Sequence, residues 1–247
     1  MVVIIFFNLF SLPELRAEIS KDDFKLFKDD LSEINLNDQK YSLLLGVGLT
    51  VGAFFADDEV KRRSAHWHSG TNDVISDFGN FVGNPIVDFS TSSLLYAVAK
   101  KDTVLERASF TALEAVFLST VTTEAIAYSL GRKRPDQNES STTFKPFSGS
   151  SSFPSAHAAS SMAFFSTYAR YYDEPYSWWF YTAFAATAFG RIYENRHYLS
   201  DVVMGSTIGY VISSYLYERH KKKGKTNFVP IMLATDKSVF IGFSKYF

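Results

Sequence analysis

The sequence predicts an all-α fold, a six-helix bundle followed by a short C-terminal β-hairpin, and three observations carry that prediction. Apolar stretches of helical length recur at about 41–56, 85–99, 105–130, 156–172, 176–192 and 200–217, each bounded by Gly, Pro, Asn or charged residues. The 247 residues are 46% hydrophobic, 17% aromatic and 21% charged, enough apolar matter for one large core and too ordered a composition for a disordered chain. Strand-like alternation is confined to the tail, where Val239, Ile241 and Phe243 alternate after the turn residues Thr235-Asp236-Lys237.

The elements follow in chain order. Residues 2–12 form an apolar run of signal-peptide length, and the chain turns polar after Ala17, so 1–17 reads as an export signal or an N-terminal anchor. No Lys or Arg precedes the run and Leu15 occupies a position where a small residue is usual, which keeps the anchor, or a docked helix, as the alternative. Residues 18–40 carry Phe24, Leu26, Phe27, Leu31 and Ile34 at helical spacing, the pattern of an amphipathic surface helix. The helical domain is 41–220 and the tail 221–247. Ahead of the second long stretch lies a short amphipathic piece, with Val74, Ile75, Phe78, Phe81 and Val82 on one face, ended by Gly83-Asn84-Pro85. The cleanest uncharged runs, 41–56, 175–190 and 202–217, fall short of the about 20 residues a membrane span needs. The 105–130 stretch contains Glu114 and Glu124, and mean hydropathy is −0.05. Hydropathy is thus compatible with a membrane bundle and with a soluble one.

Twenty-five basic against twenty-six acidic side chains leave a formal charge of −1, so the chain has no overall electrostatic drive toward nucleic acid. The absence of cysteine excludes disulfides, thiolate chemistry and cysteine-ligated metals. Chemistry therefore falls to His, Arg, Lys, Ser and carboxylates.

Three polar segments sit at helix ends: Gly131-Arg132-Lys133-Arg134-Pro135, Phe153-Pro154-Ser155-Ala156-His157, and Gly190-Arg191 through His197 to Asp201. In an antiparallel bundle these ends fall on one side. Pro154-Ser155 ahead of a helix offers free backbone N–H groups, including that of Ala156, a hydroxyl and the positive end of the helix dipole to a phosphate. Arg134 and Arg191 supply forked donors. His197 and Asp201, four apart, share a helix face, so the carboxylate holds one ring nitrogen and leaves the other to attack phosphorus. His157 stands where a leaving oxygen needs a proton. Residues 136–152, rich in Ser, Thr and Gly, read as a long flexible loop between two of these segments, a lid or a substrate-selecting loop.

These residues resemble the type 2 phosphatidic acid phosphatases and vanadium haloperoxidases, whose pattern is Lys-x6-Arg-Pro, Pro-Ser-Gly-His and Ser-Arg-x5-His-x3-Asp. Arg134-Pro135, Pro154-Ser155-Ala156-His157 and Arg191-x5-His197-x3-Asp201 match in order and spacing, and the resemblance covers roughly residues 40 to 217. It implies that His197 is the nucleophile forming a phosphohistidine, Asp201 its orienting carboxylate and His157 the leaving-group acid. Arg134, Arg191 and Ser155 would clamp the phosphate. No metal or other cofactor is implied for the phosphatases. The implied substrate is a phosphorylated lipid, phosphatidic acid-like or a polyprenyl diphosphate, or a small phosphate ester, with a membrane as partner. The implied location is a bacterial cell envelope, in the inner membrane or periplasm, with the site facing the periplasm. Three positions depart from the pattern: Ala156 for Gly, Gly190 for Ser, and Ala127 where the family places a phosphate-binding Lys. Arg132 or Lys133, close by in the next turn, is the expected substitute for that lysine, with Arg132 favoured for partial compensation. A soluble periplasmic acid phosphatase and a non-catalytic phosphate- or lipid-binding relative are the competing readings, the latter favoured by Ala127.

Overall fold

Four helix starts in this chain are marked by side-chain caps, from Ser69, Asn84, Thr103 and Ser155, that satisfy otherwise free N–H groups. The computed structural model describes residues 36–100, 103–137, 139–149, 151–172, 176–223, 228–235 and 238–245. The expected signal or anchor and the amphipathic segment up to residue 35 lie outside them. The chain divides into a helical unit, Leu36–Lys223, and a second unit containing the C-terminal residues. In the second unit, β1 (Phe228–Thr235) pairs antiparallel with β2 (Ser238–Lys245), Thr235 opposite Ser238 and Phe228 opposite Lys245.

The helical unit holds seven α-helices among the described residues, not six. They are α1 (Lys40–Ser64), α2 (Gly70–Val82), α3 (Pro85–Val98), α4 (Val104–Leu130), α5 (Ala156–Tyr171), α6 (Tyr176–Tyr193) and α7 (Leu199–Lys223). The additional helix is the short amphipathic piece. Ser69 caps α2 through the Asn72 N–H, and Asn84, accepting from the Ile86 N–H, restarts the chain as α3 with Pro85 at its first position. α1 also runs past the apolar stretch that predicts it, through Asp57 to Ser64. The added turns are held by Glu59, which pairs with Arg62 and Arg63 at helical spacing.

The core combines large apolar side chains, among them Leu113, Phe117, Phe164, Phe165 and Leu216, with many small and hydroxylated residues, and further large apolar side chains face outward. On α1 the buried face is Gly46, Thr50, Ala53, Asp57 and Ser64. Leu44, Leu45, Leu49 and Phe55 are exposed, as are Phe78 and Phe81 on α2 and Trp178 and Trp179 on α6. Some buried hydroxyls are satisfied within their own helices, Thr50 bonding to the Gly46 carbonyl, Ser92 to Asp88, Thr123 to Ser119 and Thr167 to Ala163, and others bond across helices, Ser160 to Asp88 and Ser161 to Thr187. Glu114, predicted inside a helix, is buried and stands 2.9 Å from His220 Nε2. Among the described residues Val104–Leu130 is the helix that is long and apolar enough to cross a membrane by length and composition.

Small residues also set how closely helices approach. Gly205 and Gly209, one turn apart on α7, lie under α5: a Cβ at Gly205 would meet the Ser155 carbonyl oxygen at 2.3 Å, and one at Gly209 the Ala159 carbonyl oxygen at 2.2 Å. Gly79 of α2 abuts the Ala186 backbone of α6 in the same manner, at 2.1 Å. These contacts fix the helix ends described next.

Candidate active site

The ends of α1, α4 and α6 and the starts of α5 and α7 meet on one side of the bundle. α4 is stopped by Gly131, whose left-handed backbone (φ +62°) turns the chain and whose missing Cβ clears the Lys145 carbonyl. Arg132 then forms an isolated bridge with Phe144, and Lys133 N–H and Lys145 N–H bond to the Thr143 and Gly131 carbonyls. The loop expected to be a flexible lid is therefore laced to the end of α4.

Arg132 does not reach outward to replace the family lysine. It is fully buried, and all five of its N–H donors are used inside the protein. Nε and Nη2 donate to the Ser141 carbonyl at 2.8 and 2.6 Å, Nη2 also to Asp57 at 2.7 Å, and Nη1 to Ser200 Oγ at 2.7 Å and Asp201 Oδ1 at 2.5 Å. The expected role for Arg132 in phosphate binding is corrected on that ground. Ala127 is buried too, and its carbonyl receives the Gly131 N–H.

Arg134 is half-buried, and among the described residues its hydrogen bonds are long, to Ser151 at 3.4 and 3.5 Å. Arg191 closes α6. One of its amino groups donates to Asn80 Oδ1 at 2.8 Å, and its buried Nε–H has no hydrogen-bond partner among the described residues. Ser155 caps α5 by accepting the Ala158 N–H, and its own N–H bonds to the Asp201 carbonyl at 3.0 Å. As the first two residues of α5, Ala156 and His157 keep N–H groups without helical acceptors. Together these are an anion cradle: unengaged guanidinium donors, free helix N–H groups and a helix N-terminus.

His197 is reached by a tight turn. The Arg191 carbonyl accepts the N–H of both Arg196 and His197, with Asn195 in left-handed backbone (φ +54°). The ring is buried, and Nδ1 lies 2.8 Å from the Ser152 carbonyl and 3.5 Å from Asp201 Oδ2. A carbonyl only accepts, so Nδ1 carries the proton and Nε2 presents its lone pair. The sequence reading assigned the orienting contact to Asp201 alone; the nearer acceptor is Ser152. Asp201 is in turn gripped by Arg132, by Ser152 Oγ at 2.6 Å and by the Tyr198 N–H at 2.8 Å.

Electrostatics mark the same convergence. His157 is pushed down to about 3, first by burial and then by the charges of Arg191, His197 and Arg134. Arg191 is lowered to about 10 by burial and by Arg134, and His197 is lowered by burial against the opposing pull of Asp201. Both histidines are held below their ordinary 6.5, so the unfolded chain binds protons that the folded chain refuses. Their contribution to stability is present above pH 6.5 and is lost as pH falls toward the His157 value. The thermal midpoint of the ligand-free protein is expected to drop between pH 7 and pH 5, and to drop less in His157→Asn or with added phosphate. Equal slopes for the two proteins would contradict a neutral buried His157.

Residues absent from the motif reading also build this end. Asn80 holds Arg191 and, at 2.6 Å, Glu194, while Asp57, Ser152 and Ser200 hold the Arg132–Asp201 pair. The His66-Trp67-His68 run packs aromatically, with Trp67 on Phe189 and His68 on Tyr193.

The family model of the PAP2 superfamily matches residues 108–225. The lipid A 1-phosphatase of Porphyromonas gingivalis is 31% identical over 93 residues, covering 36% of this chain and 19% of that protein, so the chain spans about a fifth of the length of the curated relative it matches. The crystal structure of LpxE from Aquifex aeolicus superposes with a TM-score of 0.50 at 15% identity, covering 66% of this chain and 94% of that one. A transmembrane PAP2-type phosphatidylglycerolphosphate phosphatase from Bacillus subtilis gives 0.47 at 15% identity, covering 75% and 98%. The matched stretch, a little under half of the chain, contains all three motif segments, and over it this chain resembles the PAP2 superfamily.

Proposed function

We propose that the protein is a membrane-embedded lipid phosphatase that releases phosphate from a lipid phosphate monoester or diphosphate through a phosphohistidine on His197. The observation that carries the reading is the buried His197, with Nδ1 engaged and Nε2 free, beside a cradle of unengaged cationic and helix N–H donors. In the first step Nε2 attacks phosphorus while Arg134, Arg191 and the N-terminus of α5 take up charge on the phosphoryl oxygens. The bond from phosphorus to the leaving oxygen breaks, and His157 gives that oxygen its proton. Burial, and after it the charges of Arg191, His197 and Arg134, disfavour the charged form of His157, and a phosphate bound between the two arginines offsets the second of these and so favours the proton-donating form. In the second step His157 takes a proton from water, the water oxygen bonds to phosphorus, the P–N bond breaks, and inorganic phosphate leaves.

The lipid part of the proposal is supported by the outward-facing Leu, Phe and Trp side chains of α1, α2 and α6 and by the small, polar inner face of α1, the distribution expected where hydrocarbon is the solvent. A soluble acid phosphatase would leave that surface in water. The name of the Porphyromonas relative favours a phosphorylated lipid as substrate. In this reading the protein sits in the cell envelope with the motif-bearing end toward the periplasm. Ala127, with Arg132 engaged elsewhere, favours a second reading in which phosphate is bound and not turned over. Phosphate release from short-chain phosphatidic acid and from para-nitrophenyl phosphate by the detergent-solubilised protein decides between them. Turnover is expected, and binding of inorganic phosphate without turnover of either ester would select the second reading.

A further inference from the structure

Asp57 belongs to α1, outside the stretch that the family model matches and outside every motif in the sequence. It is nevertheless fully buried against the motif-bearing end. Its Oδ2 accepts from Arg132 Nη2 at 2.7 Å and from Ser200 Oγ at 2.6 Å, and its Oδ1 accepts from the Ser200 backbone N–H at 2.9 Å. Ser200 is the second residue of α7, so a carboxylate on one helix satisfies a free N–H at the positive end of another. The next residue is Asp201. Arg132 stands between the two carboxylates, its Cζ 4.5 Å from the Phe54 ring centroid and 4.4 Å from that of Tyr198.

One cation between two carboxylates leaves the cluster with a net negative charge. Without Asp57, Arg132 would neutralise Asp201 and draw it away from a His197 contact that is already long. The geometry points to Asp57 as a positioning residue for phosphoryl transfer, which through Arg132 and Ser200 seats Asp201 and keeps its negative charge behind His197. This inference rests on the reading of His197 as the nucleophile. The other charged or titratable groups that act on His197 are Asp201 on α7, Arg191 at the end of α6, Arg134 after α4 and His157 on α5. Asp57 on α1 reaches His197 only through Arg132 and Ser200, the groups that connect it to Asp201.

Removing one negative charge from the cluster makes the surroundings of His197 more positive and favours its neutral form. The test compares the full-length wild type, Asp57→Asn, Asp57→Glu and, as a control on the exposed side of α1, Glu59→Gln. Two readouts are taken: the pH profile of kcat and KM on para-nitrophenyl phosphate, and the His197 titration by NMR of isotope-labelled histidine. Five histidines keep the spectrum assignable, with His197→Ala identifying the signal. Asp57→Asn is expected to lower kcat by about 10- to 100-fold with KM changed by less than about three-fold. It should also move the acid limb and the His197 titration to lower pH by roughly 0.5 to 1. Asp57→Glu should restore the titration position, and Glu59→Gln should match wild type. A loss of kcat with an unmoved titration, an equal displacement in Asp57→Glu, or failure of Asp57→Asn to unfold cooperatively would overturn the inference in favour of a scaffold role. A wild type without turnover refutes the phosphatase reading instead, and the NMR titration still decides whether Asp57 governs the charge on His197.

Discussion

His197→Ala is expected to abolish phosphate release, a loss of roughly 10⁴-fold or more, because it removes the atom to which the phosphoryl group is transferred. Binding should survive. Arg134, Arg191 and the N-terminus of α5 remain, so the variant should hold inorganic phosphate with an affinity within about three-fold of wild type. The wild type, quenched during turnover, should carry acid-labile, alkali-stable phosphate that the variant lacks. Undiminished turnover in the variant would remove His197 from the mechanism. Lost turnover together with lost phosphate binding would mean that the substitution had disturbed the cradle, and the covalent intermediate would then have to be sought on the wild type alone.

Arg132→Met should have the largest effect on stability of any single change at this end of the bundle. It strips the partner from two fully buried carboxylates and from the Ser141 carbonyl, and broken buried pairs of this kind cost about 3–5 kcal/mol. Arg132→Lys should recover only part of the loss. A lysine restores the charge but has three donors on a flexible stem where the arginine spreads five across a planar fork, and it cannot reach both carboxylates and Ser141 together. Pairing Arg132→Met with Asp57→Asn should be milder than Arg132→Met alone, since one stranded charge is then removed. Denaturant unfolding in micelles reads all three. A loss under about 1 kcal/mol for Arg132→Met would show that water reaches and solvates the carboxylates.

The contrast between Arg132 and Arg134 shows what the sequence conveyed and what it withheld. Helix ends were legible because their signals are local: Pro85 after Asn84, Gly131 after α4, and Ser155 before α5 each act on adjacent backbone. That the three motif segments lie on one side followed from antiparallel connectivity alone. Within Gly131-Arg132-Lys133-Arg134, however, which cation faces inward is set by the left-handed turn at Gly131 and by Asp57, a partner 75 residues away. No spacing rule encodes such a partner. Ser152 was hidden differently, in a Ser-rich run whose composition reads as a loop, although its carbonyl and hydroxyl hold His197 and Asp201. The outward face of α1 explains why hydropathy was a poor guide. A helix with Gly, Thr, Ala, Asp and Ser inside and Leu and Phe outside averages to an unremarkable value, although its two faces are suited to different solvents.

The two glycines of α7 have a consequence for how this site could diversify. Because Gly205 and Gly209 let α7 lie directly on the backbone of α5, and Ser155 N–H bonds to the Asp201 carbonyl, the first turns of these two helices hold Ser155, Ala156, His157 and Asp201 together. Arg191 stands on α6, which is joined to α2 by the Asn80 side chain and to α5 by the hydrogen bond from Ser161 to Thr187. Any side chain at Gly205 or Gly209 would push α7 off α5 and part Asp201 from the helix that carries His157. Substitutions around Asn80 on α2 leave that pairing alone and act on Arg191, so they are the changes expected to retune which headgroup enters while the reaction at the phosphorus atom stays the same.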